Sequence, residues 1–246
     1  MSSILNTFLS TSFGKKCAVF GNTFFNRGGY REVLLGLRNT MIIAVLGLLI
    51  GIVIGTIIAA VKIIPPTKRV TRIFQKIGNV YVAFFRGTPM VVQLLLGYYV
   101  LFPLLGISLP VLNVCVAIFG LNSGAYVSEI MRGGINSVDP GQMEAGRALG
   151  LSFTTTMMKI VIPQAVKNIL PTLGNEFITL IKETSIVNFI GATDICVAFR
   201  YIGTNNYEFM VPYLVMACIY IVIVLIITFF IHLLERRLGR SDRVHN

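Results

Sequence analysis

Apolar stretches alternate with short charged loops along most of the chain. Residues 39–61 carry no charged side chain, and 23 residues are enough for one helix to cross a bilayer. Three further apolar stretches have a comparable length: residues 78–105, 111–131 and 211–234. A turn between Pro103 and Pro110 separates the first two of these. The pattern predicts an all-α protein that crosses a membrane several times.

Glu176, Lys182 and Glu183 lower the hydropathy of residues 168–190, so hydropathy alone does not predict a span there. We predict a fifth span at these residues from the orientation of the chain. Basic clusters follow the first and the last apolar stretch, and cytoplasmic loops of membrane proteins carry an excess of lysine and arginine. Both clusters reach the cytoplasm only if this stretch also crosses. We therefore predict five spans, with the N-terminus outside and the C-terminus cytoplasmic. Five basic residues of the N-terminal arm would then lie outside, which the same rule disfavours.

The first span carries a glycine every fourth residue, at Gly47, Gly51 and Gly55. Such a ridge lets another helix approach closely. We expect that helix to belong to the same chain.

A polar island at residues 139–163 separates the third span from the fourth. Asp139 can cap a helix whose first residue is Pro140, with Gln142 as the reciprocal partner of a capping box. Gly150 supplies the left-handed residue that ends such a helix. A second short helix is predicted between a cap at Ser152 and a stop at Pro163, residues that suit these two positions.

Composition narrows the class of protein. With 55% hydrophobic and 13% charged residues, the chain is not typical of a soluble domain. The net charge of +11 lies in clusters beside apolar spans, as orientation signals do, so we predict no nucleic-acid partner. The sequence has no GxxxxGK[ST] phosphate-binding loop, and its cysteines and histidines lack metal-ligand spacing. We expect no catalytic residue, no metal and no cofactor on this chain. A disulfide between Cys17 and Cys196, both placed outside, remains open.

Polar side chains share one helical face on each of two predicted spans. They are Asn122, Tyr126 and Glu129 on the third span, and Glu176, Thr179 and Glu183 on the fourth. Polar groups at membrane depth are costly and usually mark a cavity or a pathway. The two faces are therefore predicted to line one cavity. Arg86 lies within or near the membrane as well, because only about sixteen uncharged residues separate it from Pro103.

Four motifs in this order carry a family resemblance. Glu144-Ala145-Gly146, followed after three residues by Gly150 and after nine more by residues 160–163, resembles the cytoplasmic EAA loop of ABC importer permeases. Gly146 and Ile162 stand where the family usually has alanine and leucine. Residues 85–89, 121–126 and 174–177 are similar to the polar amino-acid branch, the histidine, glutamine and arginine type. The resemblance covers about residues 36–240.

The resemblance implies a type I permease with five transmembrane helices in a bacterial cell (inner) membrane. It implies an extracytoplasmic arm at residues 1–35, a transmembrane domain at 36–240 and a cytoplasmic tail at 241–246. The polar island would hold a coupling helix that docks on a dimer of ATPase subunits, where ATP would bind. The coupling residues would be Glu144, Ala145, Gly146, Arg147, Ala148, Leu149 and Gly150. Further partners would be a second permease, identical or homologous, and an extracytoplasmic substrate-binding protein.

The resemblance also implies alternating-access import of polar amino acids such as glutamine, arginine or histidine. An amino acid carries an ammonium and a carboxylate, which require acceptors and donors in fixed positions. The ammonium, or a basic side chain, would be bound by Glu176 or Glu183 with Asn122 and Tyr126, on a face that includes Thr179. The carboxylate would be bound by Arg86 or Ser123.

Structural alternatives remain open for these residues. Glu129 and Arg132 have the spacing of a helix-surface ion pair, and Asn122 and Ser123 could hydrogen-bond between helices. Lys182 with Glu183, or Arg86 with a glutamate, could form structural pairs. The function alternatives are a permease for another small solute and a secondary transporter, which would move its solute without an ATPase.

Overall fold

The computed structural model describes residues 11–66 and 68–240, and this part of the chain is helical without a β-strand. The predicted tail at 241–246 therefore lies outside the described residues. We label the helices in chain order: α1 Ser12–Gly21, α2 Gly29–Ile63, α3 Arg69–Gly87, α4 Met90–Leu104, α5 Val111–Asn136, α6 Pro140–Ala148, α7 Phe153–Ile190, α8 Ile195–Asn206 and α9 Met210–Arg240. π turns interrupt α4 and α7, and a 3₁₀ segment, Thr184–Ile190, ends α7.

Three of these helices are long and apolar enough to cross a membrane alone. They are α2, α5 and the part of α9 from Met210 to Leu238. Two bent pairs, α3 with α4 and α7 with α8, could each supply one more span. The described residues thus give three to five candidate spans, in agreement with a helical multi-pass membrane protein.

The N-terminal arm is tied to the connection between α8 and α9. Thr11 caps α1, and a π turn, Asn22–Asn26, continues it. The ammonium of Lys16 lies 3.0 Å from a carboxylate oxygen of Glu208, and it holds the pKa of that carboxyl below its ordinary value. Helix α2 then begins at Gly29 and passes the predicted domain boundary at residue 36 without a break. The division at that position stays a prediction.

The glycine ridge of α2 packs against α5 within the same chain, as expected. Gly47, Gly51 and Gly55 are buried. A Cβ atom built on Gly55 would lie 2.7 Å from Cβ of Val127 and 2.8 Å from the amide nitrogen of Ser128. Close contact of two backbones is how helices associate in lipid, where no hydrophobic effect drives them together.

The apolar stretch at residues 78–105 is not one continuous helix. Helix α3 begins earlier, at Arg69, and ends at Gly87, and α4 leaves it at an angle of 110°. Thr88 is extended, with φ −117° and ψ 146°, because the residue before a proline is pushed away from the helical region. Pro89 in turn has no amide hydrogen with which to continue the helix.

Pro163 does not end the short helix that begins after Ser152. The chain remains helical from Phe153 to Ile190, and a π turn, Met157–Val161, precedes the proline. A π adjustment lets a membrane helix accept a proline by re-satisfying the backbone groups that the proline leaves free. Pro171 and Gly174 consequently lie inside this helix.

The α2–α5 contact generates a stability prediction. We expect Gly55→Ala to lower the free energy of unfolding by about 1–3 kcal/mol, because the added methyl overlaps backbone atoms that cannot move independently. The melting temperature of the purified protein should fall by several degrees. The control is Gly133→Ala on α5, where a Cβ meets nothing within 4 Å. Equal melting temperatures for the two variants would contradict this interpretation of the ridge.

Candidate functional site

The break between α3 and α4 is held by two buried amide side chains. Nε2 of Gln93 donates hydrogen bonds to the carbonyl oxygens of Phe85 at 2.8 Å and Thr88 at 3.0 Å. Nδ2 of Asn122 donates to Oε1 of Gln93 at 2.8 Å and to the carbonyl of Phe85 at 3.4 Å. Carbonyls freed inside a membrane need such partners. Both hydrogen bonds from the Asn122 amide nitrogen thus serve the fold, as in the structural alternative.

Ser123 and Glu176 form a buried pair between α5 and α7. Oγ of Ser123 donates to Oε1 of Glu176 at 3.1 Å, and the serine is fully buried while the glutamate is 9% exposed. None of the four ion pairs within residues 11–66 and 68–240 includes Glu176. A buried carboxylate with one hydroxyl partner is under-compensated. The site can therefore gain from a cation.

Glu129 is surrounded by three basic side chains. Its oxygens lie 2.9 Å from Nζ of Lys62, 2.7 Å from Nη2 of Arg132 and 4.0 Å from Nη1 of Arg86. The i, i+3 pair with Arg132 is confirmed, and Lys62 from the end of α2 joins it. Arg86 also lies over the ring of Tyr126, with 5.4 Å from guanidinium carbon to ring centroid. One carboxylate cannot neutralise three cations, so this region is positive.

A cavity of about 470 Å³ brings part of the predicted set together. Its lining includes the polar residues Arg86, Tyr126, Glu129, Asn168 and Thr172. Asn168 and Thr172 precede Glu176 at intervals of four residues, so they extend its helical face toward the cavity. Neither residue is among the predicted site residues, although both share the spacing of the Glu176 face. Side chains this polar can hold a small solute through hydrogen bonds and charge.

Two predicted residues lie further along α7, outside the residues that line this cavity. Oγ1 of half-buried Thr179 donates to the carbonyl of Asn175 at 3.1 Å, within its own helix. Glu183, half-buried, ends the α-helical part of α7. Of the predicted residues, Arg86, Tyr126 and Glu129 therefore line this cavity, whereas the buried Ser123–Glu176 pair is not part of its lining.

Helix α6 has the predicted ends. Oδ1 of Asp139 accepts the amide hydrogen of Gly141 at 2.8 Å, and Gly150 has φ +82°. The predicted capping box is not formed by Gln142. Instead, Oε1 of Gln142 accepts a hydrogen bond from Nε2 of Gln164 at 3.3 Å, which joins α6 to α7.

The predicted coupling residues are exposed, with one exception. Leu149 is 82% exposed, and Arg147 donates from Nη1 to the carbonyl of Leu151 at 3.0 Å. Gly146 is buried, because it faces Thr156 of α7 closely. Gly146 therefore belongs to the packing of α6 on α7 and not to the exposed face predicted to couple to an ATPase. The exposed members are Glu144, Ala145, Arg147, Ala148, Leu149 and Gly150.

Cys17 and Cys196 carry free thiols, so the structure holds no disulfide between them. Sγ of Cys196 lies 3.6 Å from the hydroxyl of Tyr220 instead.

Comparison with known proteins gives concordant matches. The chain is 40% identical over 210 residues to the arginine transport system permease protein ArtQ of Bacillus subtilis. The alignment covers 85% of this chain and 94% of that protein. It is 38% identical over 206 residues to the putative glutamine transport system permease protein GlnP of Rickettsia bellii, with 84% and 92% covered.

A solved structure described as an amino acid ABC transporter with histidines matches with a TM-score of 0.78 and 38% identity, over 85% of this chain and 94% of that chain. The model of one family, described as binding-protein-dependent transport system inner membrane component, matches residues 47–240. The multi-pass helical fold and the resemblance carried by the four motifs agree with this match. The chain belongs to the family of binding-protein-dependent transport system inner membrane components.

Proposed function

We propose that this chain is the permease subunit of an ABC importer that moves polar amino acids across the bacterial cell membrane. The observation that carries the proposal is a complementary pair of charges in an apolar bundle. Glu176 is a buried carboxylate that accepts a hydrogen bond from the hydroxyl of Ser123, and Thr172, one helical turn away, lines the cavity that contains Arg86. A zwitterion needs an acceptor and a donor held apart in this way. The relatives named for glutamine and arginine transport support the same solute class.

Separate roles follow for the site residues. Glu176, oriented by Ser123, accepts the ammonium group or a basic side chain. Arg86, held beside Tyr126, donates to the carboxylate, since a guanidinium matches the two oxygens of that group. Asn122 maintains the break that places Arg86. A second set continues along the α7 face beyond Glu176: Thr179 and Glu183.

The exposed face of α6 provides the coupling to ATP hydrolysis. We assign it as the contact with an ATPase subunit, on which ATP binds, because Glu144 and Leu149 of this short helix are left exposed by the described part of the chain. Two ATPase subunits, a second permease and an extracytoplasmic binding protein complete the importer. Movement of α6 drives alternating access of the cavity.

This assignment requires a particular topology. Each bent pair counts as one span, which gives five. The N-terminus is outside, and α6 and the C-terminus are cytoplasmic. The basic residues that follow α2 and those near the end of α9 then face the cytoplasm together.

We expect Glu144→Arg to uncouple the importer. The substitution replaces an exposed carboxylate by a larger cation on the docking face. ATP hydrolysis by the assembled complex should therefore persist, while amino-acid uptake into proteoliposomes falls at least about tenfold. A tenfold change corresponds to about 1.4 kcal/mol. Glu235→Arg is the matched control, because Glu235 is also exposed but lies on α9. Uptake that keeps its normal ratio to hydrolysis in the α6 variant would exclude α6 as the coupling element.

Glu176→Gln tests the substrate role. Loss of a charge-assisted contact should raise the KM for uptake roughly 10- to 100-fold, since hydrogen bonds to charged groups contribute about 1.5–3 kcal/mol. Ser123→Ala serves as the comparison, because it removes the partner and keeps the carboxylate. If Glu176 is only structural, both variants will change the melting temperature and leave KM unaltered.

A further inference from the structure

Helix α3 has three distinct faces, and the described part of the chain covers one of them. The covered face contains Thr71, Gln75, Gly78 and Val82, spaced at three to four residues. Nε2 of Gln75 donates to the carbonyl of Ile64 at 2.8 Å, and Gly78 and Val82 are buried. The side chains on the other two faces of α3 are exposed.

The second face of α3 is apolar and exposed along its whole length. Its residues are each between 47% and 70% exposed: Val70, Ile73, Phe74, Ile77, Val80 and Phe84. A protein surface in water would not leave such a stripe uncovered. Because α3 follows the membrane-crossing helix α2 after a five-residue connection, acyl chains are the natural cover for this stripe.

The third face is basic, and only over the first half of the helix. Lys68, immediately before α3, and Arg69, Arg72 and Lys76 within it are all exposed. Each of the four ion pairs found in the described part of the chain uses other cations. The carboxylate nearest to this end of α2, Glu129, is already bound to Lys62 and Arg132. The four cations are thus left without an acidic partner from the described chain.

We propose that the first half of α3 binds the phosphate headgroups of anionic phospholipids, with their acyl chains on the apolar stripe. Two features favour a lipid over a second copy of this chain. The basic side chains flank exposed apolar ones, as in helices that lie at a membrane surface. In addition, a second copy would bring the same excess of positive charge to the contact. Clustered basic residues beside a membrane helix attract anionic lipid, with about a fivefold preference for each residue near the surface.

This inference does not depend on which solute is transported, and loss of lipid selectivity would leave the assignment of the substrate site untouched. It also does not require an assigned orientation, because vesicles of uniform composition present the same headgroups on both sides.

The chain contains no tryptophan, which permits a direct test. Ile73→Trp places a reporter on the exposed stripe between Arg72 and Lys76. The full complex is reconstituted in vesicles with equal fractions of brominated phosphatidylglycerol or brominated phosphatidylcholine, and quenching is measured as the difference from the complex without the substitution. We expect phosphatidylglycerol to quench at least about fivefold more effectively at subsaturating fractions. The preference should vanish near 1 M salt, where the screening length is about 3 Å.

Two controls separate headgroup binding from general contact with lipid. Phe84→Trp, on the same stripe but beyond the basic half, should be quenched equally by both lipids. Adding Arg69→Gln, Arg72→Gln and Lys76→Gln to the Ile73→Trp variant should abolish the preference, whereas Arg236→Gln with Arg237→Gln, on α9, should leave it intact. Equal quenching of Ile73→Trp by both lipids would overturn the proposal. So would the absence of quenching, which would mean that protein, such as a second copy of the chain, covers the stripe.

Discussion

The close contact between α2 and α5 is the interaction on which the other features depend. Gly51 lets α5 approach until Ser123 touches the α2 backbone, and Ser123 is the residue that orients Glu176. At the end of α2, the same contact brings Lys62 to Glu129. Because lipid supplies no hydrophobic drive between helices, this contact relies on dispersion at short range and therefore on glycine. A side chain anywhere along the ridge would move both carboxylates.

Glu129 on α5 and Glu176 on α7 have opposite electrostatic surroundings. Glu129 meets three cations, so it is a structural centre that joins α2, α5 and the end of α3. Glu176 accepts a hydrogen bond from the Ser123 hydroxyl and is almost completely shielded from solvent. A buried carboxylate in that state costs free energy in the empty site, and fold stability offers no reason to keep it. A cationic group that passes through the bundle would recover part of that cost, which is the basis of the role proposed for Glu176.

The broken helix explains why polar side chains at membrane depth divide into two groups. Ending α3 at Gly87 frees carbonyl groups from helical hydrogen bonds, and Gln93 and Asn122 satisfy them. These amides therefore act on the backbone. The same break leaves Arg86 on the last turn of α3, from which its side chain lies over Tyr126 and reaches the cavity.

Much of this was set by the sequence alone. Local signals made three features predictable: the helical multi-pass class from the length of the apolar stretches, the α2 ridge from the glycine spacing, and the short helices from the caps at Asp139 and Ser152. The order of the motifs identified the family. The sequence could not determine the 110° turn at Pro89 or the continuation through Pro163, since a proline breaks or bends a helix according to what satisfies the freed backbone. Nor could spacing on one helix tell that Gly146 faces Thr156, or that Asn122 is bound to Gln93. Those partners lie on other elements, and only the tertiary structure decides which polar group is left free to meet a solute.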